Sequence, residues 1–428
     1  MQSYWPLWRR MLFRFFFIYI ALTIAPWTWL DRIPYVGTIT SPYYDMMDWL
    51  VRKANALVFH VKPVLVPTGG SGDTSFGWAN LWFVLSVSFI GMIVWSVLQH
   101  RKTEYVKLNY WLCLFTRYYV ALIAFSYGII KLFALQMPFP NYSQLATPLG
   151  DFLPMRFSWM FIGYSTPYQF FSGLMETLAG LLLLYRRTAT LGVLMATGVF
   201  LNVAVLNLSY DIPVKIFSMQ MVILCFFLLA NEMERMLCFF VYNRPANACS
   251  VYQRTFPKKW MRVSRVVAKI LFFGVAFLAV VWESYDWREQ TKTQTRGMAF
   301  EAGMYDVTHY VLNNDTVPPL LTDSIRWQNL VFDNARGGSI ETKDTAFSRR
   351  YNRAYFQYKV DTVQHTFVLK SFRDTNAIAS LHYRFDDTQT ISFWGSRSAD
   401  SISFVLKKSP RHFQLAERQF HWLSESNR

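Results

Sequence analysis

Apolar runs long enough to cross a bilayer recur through the first two-thirds of the chain, and short alternating stretches replace them afterwards. A hydrocarbon core takes about 20 mainly apolar residues per helix. Seven segments fit: Leu12 to Leu30, Asn80 to Leu98, Tyr110 to Leu132, Tyr168 to Tyr185, Leu191 to Leu208, Ile216 to Ala230 and Val266 to Trp282. The sixth is short at its apolar core. The second follows Gly69-Gly70-Ser71-Gly72-Asp73, a flexible stretch by composition. Between the first two lies Tyr43 to Val61, with Asp45, Asp48, Arg52, Lys53 and His60. Its apolar positions Met46, Leu50, Val51, Ala54, Leu57 and Val58 fall on one helical stripe. Such a helix lies at the outer interface or packs on the bundle.

After Tyr285 the period changes to two. Alternating stretches occupy Arg326 to Phe332, Ala354 to Val360, Thr366 to Phe372, Ile378 to Phe385, Thr390 to Trp394 and Ser401 to Leu406. Aromatic and β-branched residues at that period predict strands. Val360-Asp361-Thr362-Val363 and Asp386-Asp387-Thr388 read as hairpin connections. Gly337-Gly338 reads as a loop. The fold class expected is a polytopic α-helical membrane bundle plus a C-terminal mainly-β soluble domain, a small barrel or sandwich. The expected divisions are 1–285 for the bundle, 286–322 for a linker helical over Thr291 to Leu312, and 323–428 for the β-rich domain.

Composition agrees. Of 428 residues 53% are hydrophobic, 18% aromatic and 16% charged. Soluble chains carry about 25% charged residues. The net charge of +16 comes from Arg and Lys beside the apolar segments: Arg9, Arg10 and Arg14; Arg101, Lys102 and Lys107; Arg186 and Arg187; Lys258, Lys259, Arg262 and Arg265. Basic span flanks mark cytoplasmic loops and lipid headgroups rather than nucleic acid. Seven crossings then put the N-terminus in the cytoplasm and the β domain outside it. The first segment lacks a small-residue cleavage site and reads as a retained span. Four cysteines form no CxxC pair, and the seven histidines form no HExxH spacing, so no metal site is expected. His421, beside Trp422, stands alone in a strand-like stretch.

Ionisable groups inside apolar helices are costly and therefore candidates for chemistry. Glu176 sits mid-span in the fourth segment, and Arg117 lies roughly 9 Å in from the cytoplasmic end of the third. Their similar depth pairs them, either as a working site or as a buried bridge orienting two helices. Asn202 and Asn207 in the fifth segment suit inter-helix hydrogen bonds. In the tight connection that follows, Asp211 and Lys215 meet across one helical turn, and Pro213 suits the start of the sixth span. They form either a capped reversal or one wall of an outward-facing polar pocket with Lys131 and Gln220.

From about Phe115 to Leu229 the chain resembles the DoxX-like membrane family. The resemblance rests on Tyr127-Gly128-Ile129-Ile130-Lys131, Ser165-Thr166-Pro167, Glu176 with Gly180-Leu181-Leu182-Leu183-Leu184, Arg186-Arg187-Thr188-Ala189-Thr190-Leu191-Gly192 and the Asn202 helix. It implies a four-helix core, the third to sixth spans, and for some relatives a link to thiosulfate:quinone or thiol redox systems. The implied cofactor is a quinone near Glu176, with Arg117, Tyr118 and Asn202 as polar contacts. The layout also resembles vitamin K-dependent carboxylase-like proteins. The alternatives are a non-catalytic scaffold presenting the β domain to an envelope partner, and a lipid- or solute-handling protein. The expected location is a bacterial inner membrane, with membrane lipids and an envelope or redox protein as partners.

Overall fold

The computed structural model describes residues 5–24, 35–66, 72–245, 257–296, 298–320, 323–344, 347, 349–371, 377–418 and 420–422. Residues 25–30 of the first expected span, Gly69 to Ser71, Cys249 and Phe372 lie outside the described residues.

The helices in chain order are α1 (Leu7–Ile24), α2 (Val36–Ala54), α3 (Ser75–Leu98), α4 (Val106–Leu132), α5 (Tyr142–Leu145), α6 (Pro154–Tyr164), α7 (Thr166–Leu184), α8 (Ala189–Ser209), α9 (Lys215–Ala230), α10 (Met233–Met236), α11 (Lys259–Phe273), α12 (Ala279–Arg296) and α13 (Gln414–Glu417). A π-helical turn, Gly274–Leu278, joins α11 to α12. The chain divides into two compact units: Met1–Gln136 with Pro167–Tyr285, and Met137–Thr166 with Asp286–Arg428.

In the helical unit each of the seven expected segments falls on a helix. Among the described residues four helices are long and apolar enough to cross a membrane: α3, α4, α8 and the continuous Lys259–Thr293 helix. A fifth is α9 if its continuation Met233–Val241, bent by 72°, counts with it. α1 carries three arginines in 18 residues, and α7 has a polar first turn and Glu176. The Arg14 guanidinium, 1% exposed, donates to the Tyr105 hydroxyl, to Ser96 Oγ and to the Gln99 carbonyl. That network ties α1 to the α3–α4 turn. The stripe expected over 43–61 is helical, in α2 and a π-helical turn at Asn55–Phe59. Val51 is buried against Leu65 and Ala79, while Met46, Leu57 and Val58 are exposed.

The second unit is built on strands β1 (Gly303–Leu312), β2 (Asp315–Thr316), β3 (Asn329–Asn334), β4 (Gly337–Glu341), β5 (Arg349–Arg350), β6 (Arg353–Asp361), β7 (Thr366–Ser371), β8 (Ala377–Phe385), β9 (Thr390–Arg397) and β10 (Asp400–Lys408). The sheet runs β10-β9-β8-β7-β6-β4-β3-β1, every pair antiparallel, and β1 closes on β10 with Tyr305 opposite Lys408 and Leu312 opposite Ile402. It is therefore an eight-stranded barrel, with β2 and β5 as short side strands, and closure removes free sheet edges. Alternate residues such as Phe332, Phe356, Phe367, Leu381, Phe393 and Phe404 fill the interior. Phe300 plugs it, its ring 4.7 to 6.2 Å from those of Phe332, Tyr358, Phe367, Tyr383, Phe385 and Phe393. Burying each such side chain contributes about 1.5–3 kcal/mol.

Three expectations need correction. The linker over 286–322 is helical only as far as Arg296; Gly303–Leu312 is a strand. Tyr305, Val307 and Tyr310 face the core, and a bulge between Val307 and His309 breaks the alternation. Gly337-Gly338 begins β4 rather than forming a loop, because a Cβ on Gly338 would stand 2.0 Å from the Val331 carbonyl oxygen. The described residues around His421, 420–422, are exposed and form no strand.

The domain boundary also shifts, since Met137–Thr166 belongs to the barrel unit. That segment lies on the barrel's outer face. Asp333 accepts hydrogen bonds from the Ser143 amide (2.9 Å) and hydroxyl (2.6 Å). Ser339 donates to Ser143 at 2.6 Å, and Arg353 donates to Ser339 and Asn329, both at 2.7 Å.

Candidate functional site

The expected site residues fall in five separate places. Glu176 is 1% exposed and pairs with Lys131, 6% exposed, rather than with Arg117. Arg117 lies fourteen residues earlier than Lys131 on the same helix, about 21 Å along its axis. Glycines fix this register. A Cβ on Gly128 would stand 2.8 Å from the Thr177 amide nitrogen, and one on Gly173 would stand 2.6 Å from the Gly128 carbonyl oxygen. Backbone therefore meets backbone where α4 crosses α7, and Lys131 arrives opposite Glu176. Lys131 engages Glu176 Oε1, while Oε2 and the neighbouring Thr177 hydroxyl are buried without a hydrogen-bond partner among the described residues. The motif residues Gly128, Lys131 and Glu176, with Gly173, thus make one helix–helix clasp.

A second group lies at the α8–α9 turn. Lys215 Nζ is 2.7 Å from Asp211 and 3.7 Å from Asp73. Asp73, which sequence reasoning left out, accepts from the Lys215 and Ile216 amides at 2.8 and 3.0 Å, capping the start of α9. Asn207 donates to the Val214 carbonyl at 3.4 Å. This is a capped reversal. The polar pocket expected from Lys131, Lys215 and Gln220 does not assemble: Lys131 is taken by Glu176, and Gln220 lies beside Tyr19 of α1. Asn202 is exposed on α8 and does not line the cavity that holds Arg117 and Tyr118.

Arg117 and Tyr118 belong to the fifth place, a cavity of about 860 Å³ between α4, α11 and the end of α7. Five basic residues line it: Arg117, Arg186, Arg187, Arg265 and Lys269. Among the described residues no aspartate or glutamate does. Aromatic side chains form much of the wall, among them Tyr110, Trp111, Tyr118, Tyr185 and Trp260. Tyr118 packs edge-on to Phe272, with ring centroids 4.9 Å apart, and the Arg117 guanidinium lies 5.4 Å from the Tyr118 ring. Along α4 the lining runs from Tyr110 to Leu122, about 18 Å of helix. Leu114, Leu122, Ile24 and Leu271 make the wall apolar away from the cations. Sequence reasoning takes Arg265 and the Arg186-Arg187 turn as topology signals, the latter also as part of the family resemblance, and passes over Lys269.

No family model matches this sequence, and no solved structure matches it. Among curated proteins, the uncharacterized protein YwoB of Bacillus subtilis (strain 168) is 33% identical over 97 residues, 23% of this chain. The chain spans 62% of that protein's length.

Proposed function

We propose that this chain is an integral membrane protein of the DoxX-like class. It crosses the bilayer seven times, carries the barrel outside the cytoplasm, and works by binding an amphiphile that enters the α4–α7–α11 cavity from the bilayer. The observation that carries this reading is the cavity itself: cations and aromatic rings share one wall with aliphatic side chains on helices of spanning length. Ligand pockets commonly measure about 300–1,000 Å³, and this one is at the upper end.

Chain topology supports the crossing count. Residues 137–166 and 286–428 build one unit, so both must lie on one side of the bilayer. An even number of crossings must separate them. Taking α9 with its bent continuation, α8, α9 and α11–α12 supply three, and this reading takes α7, with its polar first turn, as the fourth. A quinone is an amphiphile too, and the DoxX-like resemblance favours it. A redox step would need Glu176 to carry protons, yet Glu176 is held by Lys131 and does not line the cavity.

Two measurements test the proposal. Cysteines placed at Leu149 and Trp422 should react with an impermeant maleimide from one side, and a cysteine at Arg187 from the other. Labelling of Leu149 and Trp422 from opposite sides would end the topology. Native mass spectrometry of the purified chain should show a retained amphiphile, lost when Ala268→Trp fills the cavity wall. Equal retention by that variant would end the binding reading.

A further inference from the structure

The helix α6 has its polarity turned inside out. Its one charged side chain, Arg156, is half-buried and lies within electrostatic reach of Tyr355 on β6. Ser158 and Gly163 are buried, and a Cβ on Gly163 would stand 2.5 Å from the Pro138 carbonyl oxygen. Just before the helix, the Phe152 ring is 5.1 Å from that of Tyr351. The polar face is thus spent on the barrel unit. The opposite face is apolar and open. Leu153 at the N-cap, Phe161 and Tyr164 are 61%, 70% and 41% exposed, and they fall within an arc of about 80° on the helix. Phe139, also exposed, extends the patch, its ring 5.9 Å from that of Tyr164. Contiguous apolar surface of this kind marks a place where something else docks.

Chain connectivity says what covers it. α4 ends at Leu132, and the barrel unit's segment begins at Met137; at the other end only Ser165 stands between α6 and α7. With α4 and α7 crossing the bilayer, both ends of the segment are pinned at the membrane surface. One residue of chain reaches at most about 3.6 Å, so the last turn of α6 stays at the level where α7 enters. Resting on the topology proposed above, we infer that α6 is an interfacial helix: Leu153, Phe161 and Tyr164 insert into the lipid leaflet on the barrel's side, while the Arg156 face holds the barrel. Its 11 residues make about 16 Å of helix, too short to cross and long enough to lie flat. Interfacial helices sink their apolar face about 5–10 Å into the boundary between headgroups and acyl chains. Tyr164, a hydroxyl on an apolar ring, suits that boundary. A water-borne partner would meet this face only at the membrane surface, where hydrocarbon is already within reach of it.

The test uses the full chain in nanodiscs of phosphatidylcholine and phosphatidylglycerol. Photoreactive benzoylphenylalanine is placed at one position at a time, and lipid adducts are read by mass spectrometry. Leu153 and Phe161 are the test positions. Val205, exposed on α8, is the membrane control. Val363, exposed at the β6–β7 tip and about 20 Å along β6 from Tyr355, is the water control. Adducts at Leu153 and Phe161 should approach the Val205 yield and exceed the Val363 yield about tenfold. Adducts at Val205 but not at Leu153 or Phe161 would overturn the interfacial helix and leave the membrane reading standing. Adducts at none of these positions would overturn both. Crosslinks from Phe161 to a second copy of the chain in place of lipid would make this face a contact between copies and overturn the bilayer assignment. Equal lipid yields at Phe161 and Val363 would overturn it as well.

Discussion

Buried polar groups are handled differently in the two units. Between α4 and α7 one cation meets one carboxylate, and the second carboxylate oxygen and the adjacent threonine hydroxyl have no hydrogen-bond partner among the described residues. On the outer face of the barrel, Asp333, Ser143, Ser339, Arg353 and Asn329 form a connected chain of hydrogen bonds. Apolar helices offer few polar neighbours, so their register is set by close backbone approach at Gly128 and Gly173, with the ion pair as a single pin. Strands offer a ladder of amides and a polar outer face, so the same work is spread over many weak contacts. The helical unit should therefore fail at one point, and the barrel gradually.

The largest expected effect tests the pin. Lys131→Met strands Glu176 among apolar helices and should cost about 3–5 kcal/mol, while Lys131→Met with Glu176→Met should recover most of that. Thermal unfolding in detergent measures both. Equal losses in the single and double variants would make the pair no more than a bystander to the glycine contact.

A smaller effect is expected in the barrel network, where pH is the probe. Burial holds the Asp333 carboxyl above its ordinary value, against the opposing pull of the Ser143 hydrogen bonds. The folded state then keeps a proton that the unfolded chain has already released. Stability from this group is thus greatest in acid and falls as pH rises from the ordinary carboxylate range through the raised value. Asp333→Asn should flatten that slope, read by hydrogen exchange of the β3 and β4 amides. A slope unchanged in the variant would put the titration elsewhere. The smallest effect belongs to Asn202→Leu, which should shift stability by under about 0.5 kcal/mol, because its exposed amide holds no other helix. A loss above 2 kcal/mol in detergent would show that a packing partner covers this face.

Much of the fold is legible in the chain. Six of the barrel strands announce themselves by alternation, and the Asp361 and Asp387 turns by side chains that accept from backbone amides just beyond them. β1 escaped because its bulge shifts the phase midway, and β4 because Gly337-Gly338-Ser339 offers only Ile340 to the core. The site was less legible. Depth counted from apolar run ends paired Glu176 with Arg117, whereas the true register depends on which glycines touch, a contact between residues forty-five apart. The cavity's cations lie on three stretches of sequence, and each stretch alone looks like a cytoplasmic flank.

The inserted segment 137–166 has a consequence for biosynthesis. Ser143 leaves the ribosome 190 residues before Asp333, the carboxylate it will bind. On the proposed topology it waits outside while four more helices are threaded. One helix inserted the wrong way would maroon the two parts of that unit on opposite faces, so docking of 137–166 on the barrel reports whether the helices between them went in correctly.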